Sequence, residues 1–174
     1  MIADILAGIF YLCWVPVPIA FGLWLYLKGY RNLYLHFSMV FLFVNLIGFA
    51  GYYLHPAAPP WYAINYGFEP ILDTPGNVAG LGRVDTLTGL SIFDSIYGRN
   101  ANVFAAVPSL HAAYMVVALC YAIVNKCNKF VIILFAIIMA GIWGTAVYTS
   151  HHYIIDVTLG ICCALLGILL FEKG

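Results

Sequence analysis

The chain has 174 residues, 64% of them hydrophobic and 8% charged, against roughly half and roughly a quarter in an ordinary soluble domain. That composition excludes a water-soluble fold, a disordered chain and domains on flexible linkers, and it fits one membrane-embedded domain over residues 1–174. Seven Lys and Arg balance seven Asp and Glu, so no basic field exists to neutralise a nucleic-acid backbone, and such partners are set aside.

A helix needs about 20 mostly apolar residues to cross the hydrocarbon core. In chain order such stretches fall near residues 3–27, 34–54, 109–125, 130–148 and 153–171. They predict an all-α polytopic transmembrane helix bundle of about five spanning helices. The first stretch is read as a membrane helix and not a cleaved leader. It carries Asp4 in place of a basic start, runs too long, and lacks a small-x-small pattern before polar sequence.

Short basic turns, Lys28–Asn32 and Asn125–Lys129, alternate with one long connection, residues 55–108. It opens His55-Pro56-Ala57-Ala58-Pro59-Pro60-Trp61-Tyr62 and passes Gly-rich turns to an apolar stretch, where Leu87, Leu90, Phe93, Ile96 and Tyr97 recur at three- and four-residue spacing. That spacing predicts an interfacial amphipathic helix over 85–98, either packed as part of the loop or acting as a substrate lid. Lys28, Arg31, Lys126, Lys129 and Lys173 fall at one end of the crossings. Only Arg83 and Arg99 fall at the other, together with Asp4, Glu69, Asp73, Asp85 and Asp94. The positive-inside rule makes the first end cytoplasmic and the second extracytoplasmic.

Ionisable groups at membrane depth are costly and mark function, which singles out His36, His111, His151, His152 and Asp156. His111 opens the third span, whereas His152 and Asp156 open the fifth. Two crossings apart, they arrive at the same extracytoplasmic end, beside Pro56–Tyr62. Spaced four residues apart, His152 and Asp156 share one stripe of a helix. Asp156 then accepts from one ring nitrogen, fixes the tautomer and leaves the other nitrogen as a nucleophile or base. His111, on a different helix, is suited to protonate a leaving oxygen. The start of the third helix adds free backbone N–H groups and the Ser109 hydroxyl, which favour an anion, phosphate being the most consistent.

Other residues stay open to two readings. His151 points about 100° away from His152 on a helix, as a substrate head-group contact or as a cap on the turn. Trp61, Tyr62, Tyr148 and Tyr153 are head-group contacts or members of an interfacial aromatic belt. His36 and His55 read as packing residues. Of the five cysteines only Cys127 lies in a polar turn, and no C-x-x-C pair or Cys/His spacing indicates a disulfide framework or a metal site.

Pro108-Ser109-Leu110-His111 together with His151-His152-Tyr153-x-x-Asp156 resembles the type 2 phosphatidic acid phosphatase superfamily. Ala58-Pro59-Pro60-Trp61-Tyr62 is similar to its branch related to inositol phosphorylceramide synthase, and the likeness covers about residues 45–165. The resemblance implies a helical membrane bundle and phosphoryl transfer through a phosphohistidine, with no metal and no cofactor. It makes His152 the nucleophile, Asp156 its orienting partner, and His111 the acid that protonates the leaving group and later activates the acceptor.

The chain departs from the common phosphatase pattern, a Lys-x6-Arg-Pro motif and a Ser-Arg pair seven and six residues before the second His. No Arg-Pro occurs, and the pair reads Thr145-Ala146. The inositol phosphorylceramide synthase branch shares the loss of that pair. Arg99, nine residues before the Pro-Ser-Leu-His motif in Tyr97-Gly98-Arg99-Asn100, is the candidate replacement cation, the alternative being a solvated loop charge. The superfamily core has six helices against the five counted, which implies a first helix lacking or supplied by a partner.

The expected function is a lipid head-group phosphotransferase resembling inositol phosphorylceramide synthase. Its donor is a membrane phospholipid or other lipid phosphate, and its acceptor a lipid or polyol hydroxyl. The alternative in the same reaction class is a lipid phosphate phosphatase that delivers the phosphohistidine to water, hydrolysing phosphatidic acid or prenyl (di)phosphates. No residue decides between them. Two other classes stay open: a membrane metalloprotein ligated by His111, His151 and His152, and an intramembrane serine protease using Ser109.

Overall fold

A computed structural model of the chain describes residues 1–99 and 102–172. Asn100, beside Arg99, and Lys173, counted above for orientation, lie outside the described residues. Helices α1 (Ile2–Leu12), α2 (Pro16–Leu27), α3 (Arg31–Leu54), α4 (Pro60–Tyr66), α5 (Gly82–Thr88), α6 (Ile92–Tyr97), α7 (Leu110–Val124), α8 (Lys129–Tyr148) and α9 (Ile154–Glu172) follow in order. Among the described residues, four stretches are long and apolar enough to cross a membrane: Ile2–Leu27, Arg31–Leu54, Lys129–Tyr148 and Ile154–Glu172. Leu110–Val124 is a shorter apolar helix. The protein is a polytopic helical bundle and an integral membrane protein.

The first crossing is not continuous. Pro16 and Pro18 have no N–H to give the preceding turn, and the helix breaks at 13–15 into α1 and α2. The break sets Tyr11 and Trp14 beside the start of α7.

Nine of the 15 residues of α7 are buried, because it packs against α2, α3, α8 and α9. Leu110 meets Gly48 near the end of α3, and Tyr121 packs edge-on against Phe37 near its start, at 5.6 Å, so α3 and α7 run antiparallel. Polar groups between them are paired: Tyr114 donates to Asn45 Oδ1 at 2.6 Å, and Asn45 donates to the Phe41 carbonyl at 2.8 Å. At about 1.5 Å per residue α7 is about 22 Å long against about 36 Å for α3. Its first turn is accordingly recessed. The Pro108 carbonyl accepts from Tyr52 of α3 at 3.2 Å, and the Ser109 N–H donates to the carbonyl of Asp156 in α9 at 3.0 Å.

The amphipathic helix expected over 85–98 is two helices. Gly89 ends α5 in a left-handed conformation, φ 70°, which stops a helix. The Asp85 carboxylate then accepts from the N–H groups of Phe93, at 3.1 Å, and Asp94, at 2.8 Å, and so starts α6. Val84 and Phe93 turn inward against Tyr11, Ala112 and Val157, while Leu87, Leu90 and Ile96 stay exposed.

Gly160 lets α9 approach α7, since a Cβ there would run into the Ser109 carbonyl oxygen. Gly160→Val is therefore expected to push the two helices apart and cost about 1–3 kcal/mol, read as a lower melting temperature in detergent. Unchanged melting would contradict this packing.

Candidate active site

Backbone hydrogen bonds pin the long connection over the recessed end of α7. Ala57 N–H donates to the Phe104 carbonyl at 2.9 Å, and Ala106 N–H to the Ala57 carbonyl at 3.2 Å. On the other side Trp61 N–H reaches the Ser150 carbonyl at 3.0 Å, and Gly80 N–H the Thr149 carbonyl at 2.9 Å. Between these ties lies a cavity of about 80 Å³ whose walls include Tyr52, Trp61, Tyr97, His111, His151 and His152. Pockets for drug-sized ligands are roughly 300–1,000 Å³. This one has room for a phosphoryl group, not for a whole lipid.

His111 reaches the cavity from the second position of α7. His151 and His152 come from the turn between α8 and α9. Ser150 there is left-handed, φ 61°, and the N–H groups of His151 and His152 both donate to the Ala146 carbonyl at 3.0 Å. Expected on the helix with Asp156, His152 instead precedes α9, and the divergence expected of two helical neighbours gives way to two rings aimed at one space. Asp156 Oδ2 caps α9 by accepting from the Tyr153 N–H at 2.8 Å.

The ring nitrogens are ordered by what each can accept. His152 Nδ1 lies 3.0 Å from the Ala106 carbonyl and 3.5 Å from Asp156 Oδ2. A carbonyl only accepts, so Nδ1 donates and Nε2 carries the lone pair. His111 Nδ1, 3.1 Å from that Nε2, is then the donor. His111 Nε2 in turn accepts from the Tyr97 hydroxyl at 3.3 Å. With both rings neutral, one chain of donors runs from Tyr97 through His111 and His152 to Ala106. Burial holds the Tyr97 phenol above its ordinary pKa, so it keeps its proton. Asp156 is only the more distant of two orienting groups on His152. Its Oδ1 is buried with no hydrogen-bond partner.

The His111 ring is clamped by the broken first crossing. Tyr11 stacks on it at 4.8 Å and 15°, and Trp14 lies 4.1 Å away. Asp4 secures that crossing by accepting from Arg83 Nε at 2.6 Å and from the Tyr148 hydroxyl at 3.0 Å. The Arg83 guanidinium also lies 4.9 Å above the Tyr148 ring, which ties α1 to α5 and α8.

Residues 1–170 match the PAP2 superfamily. The chain belongs to this superfamily. It is 78% identical over 173 residues to a phosphoinositol dihydroceramide synthase of Bacteroides thetaiotaomicron, covering 99% of this chain and 57% of that protein. It is 30% identical over 184 residues to an inositol phosphorylceramide synthase of Candida albicans, covering 99% of this chain and 37% of the other. A catalytic subunit of inositol phosphorylceramide synthase from Schizosaccharomyces pombe is 33% identical over 138 residues, 78% of this chain and 32% of that one. The chain thus spans 57% of the bacterial relative and about a third of the fungal ones. No solved structure matches it.

In this PAP2 superfamily member the residues picked out from sequence divide into those at the cavity and those beside it. Trp61 is in the wall. Tyr62 is buried but turned away, its hydroxyl donating to the Glu69 carbonyl at 2.8 Å and accepting from Ile71 N–H at 2.7 Å. Ser109 is outside the lining and wholly buried; its hydroxyl caps α7 by accepting from Ala112 N–H at 3.4 Å. Tyr148 belongs to the Asp4 cluster. Arg99 is exposed and outside the lining, and among the described residues no Lys or Arg lines the cavity. His36 pairs with Glu172 at 3.4 Å. Among the described residues no group of three or more His, Cys, Asp or Glu could hold a metal ion.

Sequence reasoning misses Tyr11, Trp14 and the role of Asp4. The available signals were Pro16 and Pro18 inside the first apolar run and an acid near its start. Tyr97→Phe removes the donor to His111 Nε2, and the expected result is a shifted Nε2 resonance with the proton still on Nδ1 and the fold unchanged. Nitrogen-15 shifts of labelled histidine rings check this, and an unaltered His111 pattern would contradict the donor chain.

Proposed function

We propose that the chain is a lipid head-group phosphotransferase working through a phosphohistidine on His152. The observation that carries this reading is the facing of His111 Nδ1 and His152 Nε2, 3.1 Å apart in the wall of a phosphoryl-sized cavity. A hydrogen bond of that length leaves no room for phosphorus, so the substrate must part the two rings. With the anionic phosphoryl group in place, His111 takes up a solvent proton at Nε2, which then donates to the Tyr97 oxygen, and the ring acts as an imidazolium. His152 Nε2 attacks phosphorus in line, and the bond to the leaving lipid oxygen breaks as that oxygen takes the proton from His111 Nδ1 and leaves a neutral ring. The His152 ring gains positive charge, which the Ala106 carbonyl and the buried Asp156 carboxylate stabilise. In the second half the acceptor hydroxyl returns a proton to His111 Nδ1 while its oxygen bonds phosphorus, and the N–P electron pair goes back to His152.

The relatives are named for phosphoinositol dihydroceramide and inositol phosphorylceramide. We take the donor to be a phospholipid with a phosphoinositol head group, and the acceptor a hydroxyl of a dihydroceramide-type lipid. Arg99 is the proposed phosphate cation: it follows α6 by two residues, and α6 carries Tyr97 to the cavity wall. The cavity admits water as it stands, so hydrolysis is the reaction that a bound acceptor has to exclude. The site is assigned to the extracytoplasmic face. Lys28, Arg31, Lys126 and Lys129 all adjoin the helix ends far from it, in keeping with the positive-inside rule.

With labelled phosphatidylinositol and dihydroceramide in vesicles, the wild-type chain is expected to form a new lipid phosphoester in preference to free phosphate. His152→Ala should abolish both products, and His111→Ala and Asp156→Asn should slow turnover about 10²- to 10⁴-fold with the fold intact. Ser109→Ala should only weaken it. Turnover surviving His152→Ala would rule the mechanism out. A membrane-impermeant thiol label should reach Cys127 only from the cytoplasmic side, and labelling from the opposite side would reverse the orientation.

A further inference from the structure

The chemistry above makes no use of His151. This ring is 7% exposed, lies in the wall of the same cavity, and has an Nε2 with no hydrogen-bond partner. Leaving such an atom unpaired is costly unless a ligand completes it. Its protonation follows from its neighbours. The Thr149 hydroxyl has one proton and spends it on the Thr145 carbonyl at 2.7 Å. The same oxygen is 2.9 Å from His151 Nδ1 and can only accept there. Nδ1 therefore holds the ring proton, and Nε2 is a bare lone pair. Burial and the nearby His152 push the pKa of His151 down to about 3, so the ring is uncharged at neutral pH. Tyr11 and Tyr97 flank it at 5.3 and 5.1 Å and hold it in place.

A lone pair repels phosphate oxygens and attracts a donor. We infer that His151 Nε2 accepts a hydrogen bond from a substrate hydroxyl that does not react, next to the transferred phosphoryl group, and thereby selects substrates that carry one. This deepens the phosphotransferase reading and rests on it. The role open from sequence, a head-group contact, becomes a hydroxyl contact and not a phosphate contact. Two sources share this chemistry: the polyol head group of the donor and a second hydroxyl on the acceptor lipid.

Equilibrium binding to the full chain in detergent, read from melting temperature against ligand concentration, separates the sources with two probe pairs. One pair is inositol 1-phosphate and cyclohexyl phosphate; the other is a short-chain dihydroceramide and its 3-deoxy analogue. The hydroxylated member of at least one pair is expected to bind about tenfold tighter or more, and that pair names the source. His151→Phe should bring the ratio to about one while the other member binds within about twofold of wild type. Thr149→Val, which frees the tautomer, should lower the ratio at least about threefold, and it decides the matter alone if His151→Phe does not fold. No preference in either pair, or a preference that either folded variant retains, overturns the inference. The measurement needs no turnover, so an inert wild-type chain in the vesicle assay would defeat the phosphotransferase reading while these ratios still decide the role of His151.

Discussion

The hydrogen bond between His111 and His152, 3.1 Å long, sets the requirements for the rest of the structure. Two imidazoles share one proton in a fixed sense once an outer nitrogen is committed elsewhere. The Ala106 carbonyl commits one, and the Tyr97 hydroxyl the other. Neither partner comes from a membrane-crossing helix. Both belong to the connection between α3 and α7, and the bridge between Ala57 and Ala105 fixes that connection where Ala106 is needed. A loop is thus as much a part of the proton path as the helix and the turn that carry the histidines.

The helices supply position and enclosure. The short α7 begins a turn inside the bundle, where Gly160 admits the Ser109 backbone and Ser109 caps the helix. Aromatic rings from the divided first crossing cover His111, and the Asp4–Arg83–Tyr148 cluster holds that crossing in register with α5 and α8. Burial of this kind keeps water from the histidines everywhere but in the small cavity, which strengthens each polar contact there.

Membrane spans and the convergence of His111 with His152 were legible in the sequence, because long apolar runs have one physical meaning and the number of crossings fixes which end a residue reaches. Residues 153–171 became Ile154–Glu172, and 109–125 became Leu110–Val124. The stretch 85–98 was misread as one helix, since three- and four-residue spacing persists when two short helices bury the same side, and only Gly89 betrayed the break. Spacing alone likewise placed His152 on a helix with Asp156. The left-handed turn at Ser150 depends on tertiary contacts with Trp61 and Gly80 that no local pattern records. Pro16 and Pro18 mark the break that brings in Tyr11 and Trp14 but not what those rings meet, and the Ala106 carbonyl is out of reach altogether, because a backbone carbonyl carries no sequence signature.

The described walls of the cavity bear no Lys or Arg, and this shapes how the protein meets the ions around it. A free phosphate ion entering an uncharged, half-closed space gives up its hydration and finds no fixed cation in return. A dehydrated anion is therefore costly there unless a cation from outside those walls, the role proposed for Arg99, closes over it. What the walls do offer is ring nitrogens and hydroxyls at His111, His152 and Tyr97, so the space by itself favours a group that stays tethered and partly hydrated at its mouth over one that enters alone.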